Sequence, residues 1–162
     1  MNLRIFLFCA IALLGIQSCN QCEDVICPAR SQCISGNCFC QDGYEGADCN
    51  TLAVNKYIGN YQVSPSCQQG FAITHFSSIY DNSIYVNGFF IGNFLGSGIP
   101  VEAFIGTDAN NQGNLIVIPE QNLGAIAVLG GEGFYDSFNG RIIITVQYVQ
   151  NGQGSICTFT YF

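Results

Sequence analysis

The C-terminal stretch RIIITVQYVQNGQGSICTFTYF, residues 141–162, decides the fold. Ile142, Ile144, Val146 and Tyr148 recur every second residue, as do Cys157, Phe159 and Tyr161, which marks one face of a β-strand and not the 3.6-residue period of a helix. Between the two runs stands Asn151-Gly152, a pair whose backbone tolerates the positive φ of a tight reversal. Two hairpin-connected strands are therefore expected at 141–149 and 155–162.

The same pattern extends upstream. Tyr57-Gly59-Tyr61-Val63 and Val101-Ala103-Ile105 alternate, and turn chemistry recurs at Asp81-Asn82, Gly96-Ser97-Gly98, Asn110-Asn111-Gln112-Gly113 and Asn139-Gly140. Between those turns the chain divides into about eight strands. The earlier ones fall at 56–66, 70–79, 83–91, 99–106, 114–118 and 124–136, where the Gly-rich stretch 130–133 reads as a bulge. Cys67 ends the first run and Cys157 begins the last, so a bond between them sets the first and last strands side by side. An even number of hairpin-linked strands closes most simply into an antiparallel up-and-down β-barrel, with a β-sandwich as the alternative.

Composition sets outer limits. The chain has 162 residues, ten of them cysteine, with four Lys and Arg against eleven Asp and Glu and a net charge of −7. That balance repels phosphate backbones, so nucleic acid is not an expected partner. The length is too short for two full-sized domains.

The first residues read as an export signal: Arg4, an apolar run from Ile5 to Ile16, then Gln17-Ser18 before Cys19. The run is shorter than the roughly 20 residues of a spanning helix. Removing it takes Cys9 away and leaves nine cysteines, an odd number for an oxidising compartment. Setting Cys19 aside leaves Cys67, Cys157 and six others within residues 22–49.

Ile16-Gln17-Ser18-Cys19 resembles the lipobox of bacterial lipoproteins, with Gln17 standing where that pattern usually has a small residue. The resemblance implies a signal peptide over 1–18, lipidation of Cys19 and a membrane anchor through the N-terminal lipid. The implied address is the cell envelope, as an outer-membrane lipoprotein on its surface or periplasmic face; cleavage near Ser18 with secretion is the alternative.

Cys22, Cys27, Cys33, Cys38, Cys40 and Cys49, with Gly43-Tyr44 and Gly46 between the last two, resemble an epidermal-growth-factor-like (EGF-like) module. By themselves six cysteines allow fifteen pairings. The resemblance implies Cys22 with Cys33, Cys27 with Cys38 and Cys40 with Cys49. So short a segment cannot bury enough apolar area to offset chain entropy and needs covalent staples. Gly43 and Gly46 permit the positive φ of its turns. Zinc is disfavoured because thiolate zinc sites belong mainly to reducing compartments. Asn20-Gln21-Cys22 retains part of the family's calcium pattern, but Cys19 occupies its leading acidic position. Glu23, Asp24, Asp42, Glu45 and Asp48 are accordingly read as a solvated acidic surface, and neither metal nor cofactor is expected.

The domain reading is then 1–18 signal, 19–49 lipidated N-terminus and EGF-like module, 50–55 linker and 56–162 barrel. Gly59-Asn60-Tyr61 resembles the Gly-x-Trp signature that opens lipocalin barrels, with Tyr for Trp. The combination of parts also looks like lipoproteins of Bacteroidota-type bacteria.

No catalytic constellation is read. His75 is the one histidine, placed by alternation with Phe71 and Ile73 on one strand face, and Asp81, Glu102, Asp108, Glu120, Glu132 and Asp136 are scattered singly. Most aromatic residues are expected in the core. Phe89, Phe90 and Phe94, clustered between Gly88 and Gly96, are the candidate ligand-binding residues, as an exposed patch or barrel lid. The expected function is a noncatalytic, monomeric lipoprotein whose EGF-like spacer presents a β-domain to a protein or glycan. The alternative is a lipocalin-like carrier of a small apolar ligand.

Overall fold

A computed structural model describes residues 21–69, 73–106 and 113–162. Residues 1–18, read above as an export signal, and Cys19, Phe71 and Asp108 lie outside those residues. In the N-terminal part, β1 (Ser31–Ile34) and β2 (Asn37–Cys40) form a hairpin, and β3 (Tyr44–Glu45) pairs with β4 (Thr51–Leu52). Ser35 and Gly36 at the hairpin tip both have positive φ, 52° and 81°, which matches the twist of the strands they join. Cys22 is bonded to Cys33, Cys27 to Cys38 and Cys40 to Cys49. Gly43 and Gly46 adopt φ of 89° and 91°, the left-handed geometry that their lack of a side chain permits.

The remaining strands are β5 (Gly59–Cys67), β6 (His75–Asp81), β7 (Gly88–Ile91), β8 (Val101–Gly106), β9 (Leu115–Ile118), β10 (Gln121–Asn122), β11 (Ile126–Asp136), β12 (Arg141–Gln150) and β13 (Gln153–Tyr161). Each pairs antiparallel with the next, except that β9 pairs with β11 and the short β10 lies along the start of β11. β13 returns to β5, which closes an eight-stranded antiparallel barrel and excludes the two-sheet sandwich. Cys67 and Cys157 sit opposite each other in the β5–β13 register and are bonded.

The alternating residues face inward as a set. Val101, Ala103 and Ile105 on β8, Ile142, Ile144 and Val146 on β12, and Cys157, Phe159 and Tyr161 on β13 are almost wholly buried. Aromatic rings fill the space between them, with Tyr57 stacked on Phe89 at 5.4 Å and Phe94 against Phe159 at 5.6 Å. Each fully buried ring of this size contributes about 2–3 kcal/mol of transfer free energy.

Both ends of the barrel are plugged. At one end Ala53–Lys56 forms a 3-10 turn that buries Ala53 and Val54 in the core, and the adjoining Tyr57 donates its hydroxyl to the Gly113 carbonyl at 2.6 Å. Gly113 must be glycine here, because a Cβ would lie 2.3 Å from that of Ala53. At the other end the turn Phe94–Gly96 lowers Phe94 into the core, held by Asn93, whose side-chain oxygen accepts from the Gly98 amide at 2.8 Å and whose Nδ2 donates to the Phe76 carbonyl at 2.6 Å. Leu95 adopts a left-handed φ of 55°, a conformation costing a branched residue about 1 kcal/mol or more.

Strand starts differ from expectation by three residues or more in three places. The first strand begins at Gly59, not 56, because the preceding residues form the plug. The third begins at Gly88, not 83, because the buried Asn82 accepts the Ile84 amide with its side chain and its own amide donates to Gly88, so residues 83–87 loop out. The second, expected from 70, begins at His75 after Ile73 and Thr74, which carry no strand; residues 70–72 lie outside the described residues. The stretch 50–55, read as a linker, is instead built into both parts: Thr51–Leu52 pairs with β3 and Ala53–Val54 enters the barrel core.

Candidate functional site

A filled, plugged barrel leaves its outer wall for recognition, and the wall has two characters. Along β5 the outward residues are Asn60, Gln62, Ser64 and Ser66, followed on β13 by Thr158 and Thr160. Across β6 to β9 most are apolar, namely Phe76, Tyr80, Phe90, Phe104, Leu115 and Val117, with Ser78 and Glu102 among them and Tyr80 beside Phe90 at 5.6 Å.

The bulge in β11 sets what comes next. Ile126 and Val128 face the core, and continued alternation would send Glu132 and Phe134 inward as well. The register slips by one residue between Val128 and Gly130, where Gly130 has a φ of 141°, and from there the parity reverses. Gly131, Gly133 and Tyr135 turn to the core, whereas Glu132 and Phe134 emerge on the outer wall. Glycine is required at 133, since a Cβ would meet the Ile143 carbonyl oxygen at 2.4 Å.

The result is a groove of about 330 Å³ lined by Leu115, Ile116, Val117, Glu132, Gly133, Phe134, Ile143 and Thr145. The ladder register explains the arrangement. Val117, Glu132 and Thr145 form one cross-strand row, and Leu115, Phe134 and Ile143 form the next. Leu115, Val117 and Phe134 are each about half exposed, at 46%, 52% and 47%. Thr145 shares a hydroxyl hydrogen bond with Thr158 at 3.0 Å. The Glu132 carboxylate makes no hydrogen bond or ion pair with any described residue.

Other depressions lie elsewhere on the described surface. One of about 130 Å³ at the plugged mouth is lined by Pro65, Ile73, His75, Leu95, Tyr148, Gln150 and Phe159. Another, about 220 Å³, lies between Gln68–Gln69 and the β12–β13 hairpin, and a third, about 330 Å³, lies beside the loop from Ser83 to Val86, where the N-terminal part meets the barrel.

The phenylalanines expected to form a patch are separated by the strand itself. Phe89 and Phe94 are buried core residues, and Phe90 alone faces outward, half-buried beside Tyr80. Alternation dictates this, because neighbours in a strand point to opposite faces. His75 lies at the mouth with Nδ1 3.0 Å from the Ile73 carbonyl oxygen, and Ile73 is exposed ahead of β6, not on its face. Glu102 accepts from Asn82 at 2.6 Å. The Asp136 carboxyl is held below the usual carboxylate range, first by the Asn139 side-chain amide at 2.6 Å and then by backbone amides of the same turn. Glu45, read as part of a solvated acidic surface, is instead mostly buried and accepts both from Lys56 at 2.5 Å and from the Gly113 amide at 3.0 Å. Among the described residues no three His, Cys, Asp or Glu side chains converge as metal ligands, and no helix is long and apolar enough to cross a membrane.

The molecule is thus a disulfide-stapled N-terminal unit fixed to an eight-stranded antiparallel barrel. Comparison with protein-family models, with curated proteins and with solved structures finds no match to this chain.

The groove residues were not legible as a set. Leu115, Val117, Glu132 and Phe134 are dispersed in sequence, and only the bulge, which the Gly-rich stretch does signal, brings the last two outward.

Proposed function

We propose that this chain is a noncatalytic lipoprotein of the bacterial cell envelope, anchored by lipid on Cys19, in which an EGF-like module acts as a rigid spacer and the barrel binds a protein or glycan on its outer wall. One observation carries the choice of surface: the barrel interior is occupied by its own rings, whereas the groove over β9, β11 and β12 is open. The mouth depression of about 130 Å³ is well below the roughly 300–1,000 Å³ of sites that enclose a small ligand, which favours surface recognition over internal carriage. Rigidity is supported by the Glu45 carboxylate, which ties the N-terminal unit to Lys56 and Gly113.

Anchoring is tested by growing expressing bacteria with a clickable fatty acid. Label on the membrane-bound protein, lost in Cys19→Ala, is expected; unlabelled wild-type protein refutes the anchor. Binding is tested on glycan and peptide arrays with the mature, non-acylated chain. Hits that disappear in Val117→Asp at an unchanged melting temperature are expected. Hits indifferent to that substitution refute the outer-wall site.

A further inference from the structure

The groove carries enough chemistry to say what kind of partner it takes. Its walls are hydrocarbon from Leu115, Val117, Phe134 and Ile143. Its polar groups are the Glu132 carboxylate, which has no partner among the described residues, and the Thr145 hydroxyl, already engaged with Thr158. Glu132 is exposed on the wall beside these apolar side chains, so its carboxylate is open to an incoming cation, and the chain as a whole carries a net charge of −7.

Resting on the outer-wall reading above, we propose that the groove binds an apolar polypeptide segment bearing a single Lys or Arg, whose cationic head meets Glu132 while its neighbours pack on Val117 and Phe134. A glycan fits less well, because sugars require several directed polar partners and one free acceptor supplies few. A second copy fits poorly too. A two-fold contact centred here brings two Glu132 carboxylates together in an apolar interface, with repulsion and desolvation both opposing it. An anionic lipid surface meets the same repulsion. The partner cannot add a strand, since β9 is paired with β8 and β11, and β11 with β9 and β12. Recognition is by side chains alone.

The test uses three fluorescent, acetylated pentapeptides with leucine and phenylalanine flanking a central lysine, glutamine or glutamate. Anisotropy titrations are run against the mature, non-acylated chain in low and high salt. The lysine peptide is expected to bind best, with a preference that shrinks as salt rises. Glu132→Gln is expected to weaken the lysine peptide about three- to fivefold and to leave the glutamine peptide unchanged. Glu132→Lys is expected to invert the order in favour of the glutamate peptide. Val117→Asp, at a half-exposed position that leaves the core intact, is expected to weaken the lysine and glutamine peptides more than about tenfold.

Equal binding of the three peptides, or indifference of the lysine peptide to Glu132→Gln, overturns the proposal. So does a Val117-dependent dimer in sedimentation velocity, or Val117-dependent binding to phosphatidylcholine vesicles. If the peptides fail while a glycan binds in a Val117-dependent way, the cationic segment is refuted and the outer wall stands. If Val117→Asp alters no interaction, the outer wall fails with it.

Discussion

The N-terminal unit and the barrel solve the same entropic problem by different means. Among the described residues before 50 the well-buried side chains are Cys40 and Cys49, and Ile26 stands 97% exposed. Three disulfides closing loops of 11, 11 and 9 residues hold that unit together. In the chain-entropy model each is worth about 2.5–3 kcal/mol. The barrel instead buries a continuous apolar core whose residues run from Ala53 to Tyr161, with one disulfide spanning 90 residues. A chain too small for a core substitutes sulfur for it, and a chain long enough to close a ladder needs sulfur only at the seam.

The sharpest way to break this contrast is to open the barrel core. Phe159→Ala is expected to cost about 3–5 kcal/mol in denaturant titration, with the N-terminal disulfides still formed on alkylation and mass analysis. Scrambled N-terminal pairing in that variant would mean that the barrel templates the smaller unit. Replacing Cys40 and Cys49 together by serine is expected to remove about 2–3 kcal/mol locally. Hydrogen exchange should then rise over 21–50 while β12 and β13 stay protected, and loss of protection in those strands would erase the distinction.

The tie between the two regions comes next in size. Lys56 and Glu45 are 18% and 17% exposed, and Lys56 also donates to Asn114 at 2.9 Å and lies over the Tyr57 ring at 5.6 Å. Glu45→Gln leaves a charge in this partly buried site without its counterion, at a cost of about 1–3 kcal/mol. Thermal unfolding should separate into two transitions if this contact couples the regions, and a single unchanged transition would show that it does not.

The smallest effect concerns a single proton. Burial pushes the Tyr161 phenol well above its ordinary pKa of 10.0, so the folded chain holds that proton longer than the unfolded one. Its contribution is fully present below about pH 10 and is lost as the pH rises further. Tyr161→Phe is expected to lie within about 0.5 kcal/mol of wild type at pH 7 and to become relatively more stable above about pH 10. Parallel stability curves across that range would mean that the phenol ionises elsewhere or not at all.

Much of the ladder was legible because alternation and turn chemistry are local. The hairpin at Asn151-Gly152 has φ of 53° and 78°, as that residue pair predicts, and β12 and β13 follow the runs around it. The Gly-rich stretch does contain the bulge. The plug did not announce itself. Ala53 and Val54 have no periodicity to read, and their burial depends on Gly113 leaving room some 60 residues later. Likewise Phe89 and Phe90 look alike in sequence, and only the register with β6 and β8 assigns one to the core and the other to the wall.

Sequence alone determined that the C-terminal part pairs strand with strand and that sulfur crosslinks its first and last runs, because side-chain period and turn propensity act over a few residues. Tertiary structure decided where the ladder closed, which rings filled it, and that Glu132 and Phe134 point outward. Those outcomes depend on register and volume, which arise only when distant strands compete for the same space.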